Sequence, residues 1–209
     1  VGLMNSADFI LPLTDAGAGA VSVLVPKGTG PATFTRALAT ATTIGSTGLV
    51  LKAIGANVAR SYYDPTTLNY LGYIAEGART NLCLQSEDLG TTWVDVGTPT
   101  LSANSTVSPD GTTTADTLGD DSAAAFEGKS QLFVVADDSL THSFTIFVLK
   151  TSGGTSPVFG VTLNLTGGTP VSVSGRWDTD TGLSGAPGAT IVNGVSYPNY
   201  WRFEVRITN

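Results

Sequence analysis

The feature that most constrains this chain is a repeated alternation. Short runs rich in Val, Ile, Thr and aromatic residues are separated by clusters of Gly, Asp, Ser, Thr and Pro, and nowhere is helical spacing sustained. From about residue 90 the runs fall at 92–96, 101–107, 113–118, 131–135, 143–150, 158–165, 171–177 and 201–208. That spacing predicts the strands of an antiparallel sandwich or barrel. The clearest is 144–149, where Phe144, Ile146 and Val148 share one face and Thr145, Phe147 and Leu149 the other. Apolar residues on both faces predict a central strand. Ser108-Pro109-Asp110-Gly111, Ser152-Gly153-Gly154, Thr166-Gly167-Gly168 and Asp178-Thr179-Asp180-Thr181-Gly182 supply residues that accept positive φ or bond their own backbone, so they read as turns.

Residues 1–80 lack this regularity. Patches such as Phe9-Ile10-Leu11 and 21–25 are interrupted by Gly, Pro and Thr, and nothing there predicts a self-contained core. Asp64-Pro65-Thr66-Thr67 is a turn signal, because proline presets φ and the Asp carboxylate accepts from backbone N–H groups just ahead. Arg36, Arg60 and Arg79 stand in otherwise uncharged, turn-rich surroundings. There a guanidinium's fork of donors can staple backbone carbonyls or a carboxylate such as Glu76. The expected fold is all-β: an extended N-terminal arm over 1–80, serving attachment and oligomerisation, then an antiparallel β-sandwich over 81–209.

The 209 residues suffice for one substantial core plus an appendage. A net charge of −7 argues against nucleic-acid binding, which rests on Lys and Arg displacing counterions from phosphates. Cys83 is the one cysteine and His142 the one histidine, so an internal disulfide and a Cys/His zinc site are excluded. No run approaches the roughly 20 apolar residues of a membrane helix, and no charged segment leads into an apolar one as in a signal peptide. A start at Val1 and a stop directly after a strand-like run lead us to expect a fragment of a longer product.

Ordered motifs add a resemblance. Residues 32–37 (Ala-Thr-Phe-Thr-Arg-Ala), 39–42, Asn57-Val58-Ala59-Arg60 and 71–82 (Leu-Gly-Tyr-Ile-Ala-Glu-Gly-Ala-Arg-Thr-Asn-Leu) resemble a linker module of tailed-bacteriophage virion proteins. Gln85-Ser86-Glu87-Asp88 with Trp93, then 108–116, 143–150 and Tyr200-Trp201-Arg202, are similar to the jelly roll of the same proteins. The resemblance covers most of the chain from about residue 8. It implies a head-spike, head-decoration or tail-fibre protein on the virion, contacts to capsid or tail proteins, a homotrimer, and a jelly roll related to carbohydrate-binding modules. Its pattern usually continues beyond the Tyr-Trp-Arg strand, so a final strand is expected to be missing here and a sheet edge left open.

No constellation in the sequence carries catalysis. A Ser/His/Asp arrangement would depend on His142 beside Ser143, and neighbouring strand residues point to opposite faces, so His142 reads as structural. Paired acids for polysaccharide cleavage would come from Asp120, Asp121, Glu127, Asp178 and Asp180, all in polar loops. A non-enzymatic protein without cofactors is expected, with a host-glycan reader as the alternative and a polysaccharide depolymerase behind it. Asp178 and Asp180 are a weak calcium candidate, lacking the further ligands of a helical calcium loop. For a glycan, aromatic rings stack on sugar C–H faces while polar groups fix hydroxyls. The turn-located Trp177 with Arg176, Asp178 and Tyr197 is the candidate set, Trp93 and Trp201 reading as core.

Overall fold

The computed structural model describes residues 41–74, 80–152, 158–166, 169–185, 187–188 and 190–209, the side chains of Lys52 and Ala53 excepted. The described residues are all-β, with antiparallel pairing throughout and no helix. The chain divides into two units, 1–79 and 80–209. Arg36, Glu76 and Arg79 lie outside the described residues, as do 1–40 of the expected arm and the glycines at 153, 154, 167 and 168.

In the first unit, the described chain forms two hairpins. Strand β1 (Ala41–Ile44) pairs with β2 (Val50–Ile54), and β3 (Ser61–Tyr63) pairs with β4 (Tyr70–Tyr73). Asp64 shapes the second turn as its sequence requires: its carboxylate accepts from the N–H of Thr66 at 2.9 Å and of Thr67 at 2.6 Å. Those bonds, Thr67 foremost and then Thr66, hold the Asp64 carboxyl below its ordinary range. The two hairpins are tied to each other. Thr43 Oγ1 donates to the Ser61 carbonyl at 2.6 Å, and Arg60 donates to the Thr42 carbonyl at 3.0 Å, the staple expected of it. Ile44 and Tyr63 are buried, and the Tyr63 ring lies 5.4 Å from that of Tyr70. Over 41–74, then, the stretch expected to be extended is folded back and paired.

The described residues of the second unit form nine strands. They are β5 (Val94–Val96), β6 (Thr100–Thr106), β7 (Ala115–Gly119), β8 (Gly128–Ser130), β9 (Thr141–Leu149), β10 (Val158–Leu165), β11 (Val171–Asp178), β12 (Ile191–Ser196) and β13 (Tyr200–Thr208). Its core is a two-layer antiparallel sandwich. One layer is the three-stranded sheet β12-β13-β9, the other the β10–β11 hairpin. Pairing places Ile146 opposite Phe203, Phe144 opposite Val205 and Val148 opposite Trp201 on one face. The facing hairpin contributes Phe159, Val161, Leu163, Val173 and Trp177, alternate residues of each strand as the period of two demands. Phe203 is wholly buried at the centre. It stacks on Trp177 at 4.8 Å and on Phe159 at 6.1 Å, and these two rings are themselves cross-strand partners. Burying one such ring is worth roughly 1.5–3 kcal/mol.

Two expectations are corrected. Strand β9 is an edge of its described sheet and β13 the centre; the second apolar face of β9 is explained instead by the Tyr197 ring, edge-on to Phe147 at 5.0 Å. The last strand, β13, is paired along both edges, so the edges of this sheet among the described strands are β9 and β12. Residues 131–135 form no strand. The pairing sits just before them, in β8, and 131–136 run on without a partner strand among the described residues.

Strand β12 escapes the sequence reading because Asn193-Gly194 resembles a turn. The glycine is there for space: a Cβ at 194 would lie 2.7 Å from the Phe203 ring, at a point where the β12–β13 register shifts.

Candidate functional site

Strand geometry separates the proposed glycan set. In β11 residues 176 and 178 share a face and 177 takes the other, so Arg176 on the outside commits Trp177 to the core. Trp177 is 1% exposed, stacked on Phe203, and its indole N–H donates to the Val192 carbonyl at 2.7 Å. It offers no ring to a ligand, and its assignment as a binding platform is withdrawn. Tyr197 is likewise buried, its ring spent on Phe147. Trp201 is satisfied within the fold, its N–H donating to the Thr179 carbonyl at 2.9 Å, and the half-buried Trp93 donates to the Gln85 carbonyl at 3.1 Å.

What remains exposed is the outer face of the β10–β11 hairpin. Cross-strand pairing puts Thr162 against Ser174 and Asn164 against Ser172, with side-chain hydrogen bonds of 2.9 and 2.6 Å. Next along the face, the Arg176 guanidinium lies over the Phe126 ring, 4.3 Å from its centroid. Phe126 is 73% exposed, an aromatic residue of 80–140 that the sequence reading did not single out. A stacked guanidinium keeps its charge while losing freedom, and is worth roughly 0.5–1 kcal/mol at an exposed site. The face carries one charge of each sign, Arg176 and Asp178, and is otherwise uncharged and rich in donors and acceptors. It can receive a polar ligand or another protein surface, but it encloses nothing.

A second feature lies beside β13. A depression of about 270 Å³ is lined by Thr106, Val107, Leu149, Lys150, Asn199 and Tyr200, with Pro198 at its rim. Lys150 donates to Ser196 Oγ at 2.8 Å and to the Tyr197 carbonyl, with its ammonium 4.6 Å from the Trp201 ring centroid. Desolvation lowers the Lys150 pKa, against these three contacts that favour the ammonium. The Tyr200 hydroxyl donates to the Val107 carbonyl, and desolvation raises its pKa. Tyr200 thus ties the end of β6 to the sandwich, Lys150 ties β9 to the β12–β13 turn, and the polar atoms of both are engaged by the fold.

The acids are likewise engaged. Glu127 accepts from the Thr98 N–H at 2.9 Å, the Thr98 hydroxyl at 2.8 Å and the Asp121 N–H at 3.2 Å. The Thr98 backbone bond, then its hydroxyl, push the Glu127 carboxyl down, the reverse of what a general acid requires. Asp120 accepts from the Ser122 N–H at 3.3 Å.

Asp178 accepts from the N–H groups of Asp180 at 2.8 Å and Thr181 at 2.9 Å, which lower its pKa, Thr181 first. Asp178 and Asp180 thus build an Asx-type turn. Among the described residues no group of three or more His, Cys, Asp or Glu side chains is placed to hold a metal. His142 faces inward opposite Ile207, its Nε2 buried without a hydrogen-bond partner among the described residues, while Ser143 faces outward.

Comparisons with protein-family models, with curated proteins and with solved structures found no match to this chain.

Proposed function

We propose that this chain is a non-enzymatic structural protein of a tailed-bacteriophage virion. Residues 1–80 attach it to capsid or tail proteins, and the β-sandwich is displayed outward. The observation that carries this reading is the ordered series of motifs from Thr33 to Trp201. The way the second unit spends its residues supports it: the large rings close a core, the acids shape turns, and apolar side chains stand exposed across 80–140. Purified particles of the phage that encodes the chain test the proposal. The chain should be recovered from them by mass spectrometry in a fixed ratio to the capsid protein, and a label on the sandwich should lie outside the particle. Recovery only in the soluble lysate would overturn it.

A second reading has one observation in its favour. The exposed Phe126 ring, backed by Arg176, beside the Thr162–Ser174 and Asn164–Ser172 pairs, offers stacking and hydroxyl contacts to a host-surface glycan. Glycan-array binding that is lost in both Phe126→Ala and Arg176→Ala supports it; binding unchanged by either replacement rejects it.

A further inference from the structure

The run Gln131-Leu132-Phe133-Val134-Val135-Ala136 is the most unusual surface of the second unit. It contains no charge, no Pro and no Gly, and its β-branched and aromatic content is that of a pairing strand. Yet Leu132 is 99% and Val134 95% exposed, and the backbone groups of 132–135 have no hydrogen-bond partner among the described residues. Scattered exposed apolar side chains are ordinary. Three in succession, Leu132, Phe133 and Val134, followed by the half-buried Val135 on the same unpaired backbone, form an open edge that proteins generally blunt with charge, Pro or a covering element.

Both ends of the run are fixed. The Gln131 side chain exchanges hydrogen bonds with the Leu84 backbone at 2.7 and 2.9 Å and donates to Thr92 Oγ1 at 2.9 Å. At the other end Asn209 Nδ2 donates to the Ala136 carbonyl, and the Asn209 N–H to that of Leu140 at 3.1 Å. Immediately upstream, β8 is paired to β5 along one edge, its other edge having no partner among the described strands.

We propose that this run is a homotypic docking strand: two copies of the chain pair antiparallel through residues 129–137, about a two-fold axis at Phe133. A two-fold axis perpendicular to a sheet keeps each side chain on its own face, so a residue meets one of its own parity. With Phe133 on the axis, Leu132 faces Val134 of the second copy, Gln131 faces Val135, and Lys129 faces Asp137. The two most exposed apolar side chains thus cover each other twice over on one face.

On the opposite face, Lys129 already opposes and contacts Asp95 within its own chain. Asp137 of the second copy extends this to a row of carboxylate, ammonium and carboxylate across three strands. Neighbouring registers lose that match. An axis at Val134 sets Lys129 against Ser139, and an axis at Leu132 sets it against Val135. Charge and apolar pairing therefore select the same register and the same occupant, a second copy.

The proposal does not depend on the virion assignment. Its test is the solution state of the whole chain, by light scattering and sedimentation over a range of concentrations, joined to site-directed crosslinking. The wild type should dimerise. The double replacement Leu132→Lys, Val134→Lys should leave a monomer with unchanged circular dichroism, since both side chains are exposed. In a Cys83→Ser background, Phe133→Cys should give a disulfide-linked dimer under mild oxidation. Val135→Cys, which faces Gln131, should not.

A wild type monomeric at every concentration overturns the proposal. So does a dimer or trimer that survives the double replacement, or crosslinking through position 135 in place of 133.

Discussion

Residues 80–140 and 141–209 belong to one unit and share the same alternation of β-rich runs and polar turns, but they are held together differently. Every buried large hydrophobic residue of the unit comes from 141–209: Trp177, Ile191, Tyr197, Tyr200, Phe203, Val205 and Ile207. In 80–140 the strands form two two-stranded ladders, and Val94, Val96, Val107, Phe126, Leu132, Phe133 and Val134 stay exposed. Carboxylates organise that half instead. Asp116 accepts from the N–H groups of Leu89 at 2.8 Å and Asn104 at 2.9 Å, Asp88 holds Gly90 and Thr91, Asp110 gathers Thr112, and Glu127 joins Thr98 to Asp121. An apolar alternation becomes a core only where a second sheet lies across it. Without one, the chain is ordered by bonds between side chains and its own backbone.

The sharpest way to break this contrast is to remove one ring from each half. Phe203→Ala takes away the side chain stacked between Trp177 and Phe159 and should cost about 3–5 kcal/mol, read from denaturant unfolding. Phe126→Ala should change stability by less than about 0.5 kcal/mol. Comparable losses would mean that 80–140 has a core of its own. A second, smaller effect concerns packing tightness. Gly194→Ala places a methyl carbon 2.7 Å from the Phe203 ring and 3.1 Å from the Gly182 carbonyl. Overpacking of this kind costs roughly 1–3 kcal/mol, and the melting temperature should fall accordingly.

The smallest effect is set by pH and falls on the other half. The Glu127 and Asp88 carboxyls are held below their ordinary values, Glu127 foremost by the Thr98 backbone and Asp88 foremost by the Thr91 hydroxyl. Because folding depresses these pKa values, the stability they contribute is complete above the unfolded carboxylate range, near 4. It is lost as pH falls through the folded values. Acid should therefore raise amide exchange in 80–140 before 141–209, and Glu127→Gln should weaken that pH dependence. Simultaneous loosening of both halves would remove the distinction.

Much of the sandwich is legible in sequence. Strand β10 spans the run expected for it, and β9, β11 and β13 differ only at their ends, because long alternating runs fix both strand and face. Alternation also carries information that a list of aromatic residues does not: once Arg176 is outside, Trp177 is inside. Tertiary pairing is what sequence leaves open. Nothing within 131–135 distinguishes a paired strand from an unpaired one, and the apolar outer face of β9 is resolved by Tyr197, three strands further along the chain, a partner no local rule predicts. The exposed face carrying Phe126 and Arg176 joins two distant segments, and only the fold brings them together.

The central position of β13 has a consequence for the order in which the sandwich assembles. The β10–β11 hairpin is local, closed by a short connection, and can zip early. The β9–β13 ladder instead joins segments separated by three intervening strands, and β13 brings Phe203, Val205 and Ile207 with it. During synthesis, β9 to β12 all emerge before the strand that seals their interior. Closure of the sandwich is therefore held back until β13 has left the ribosome, a late and long-range step of the kind that sets slow folding in β-proteins.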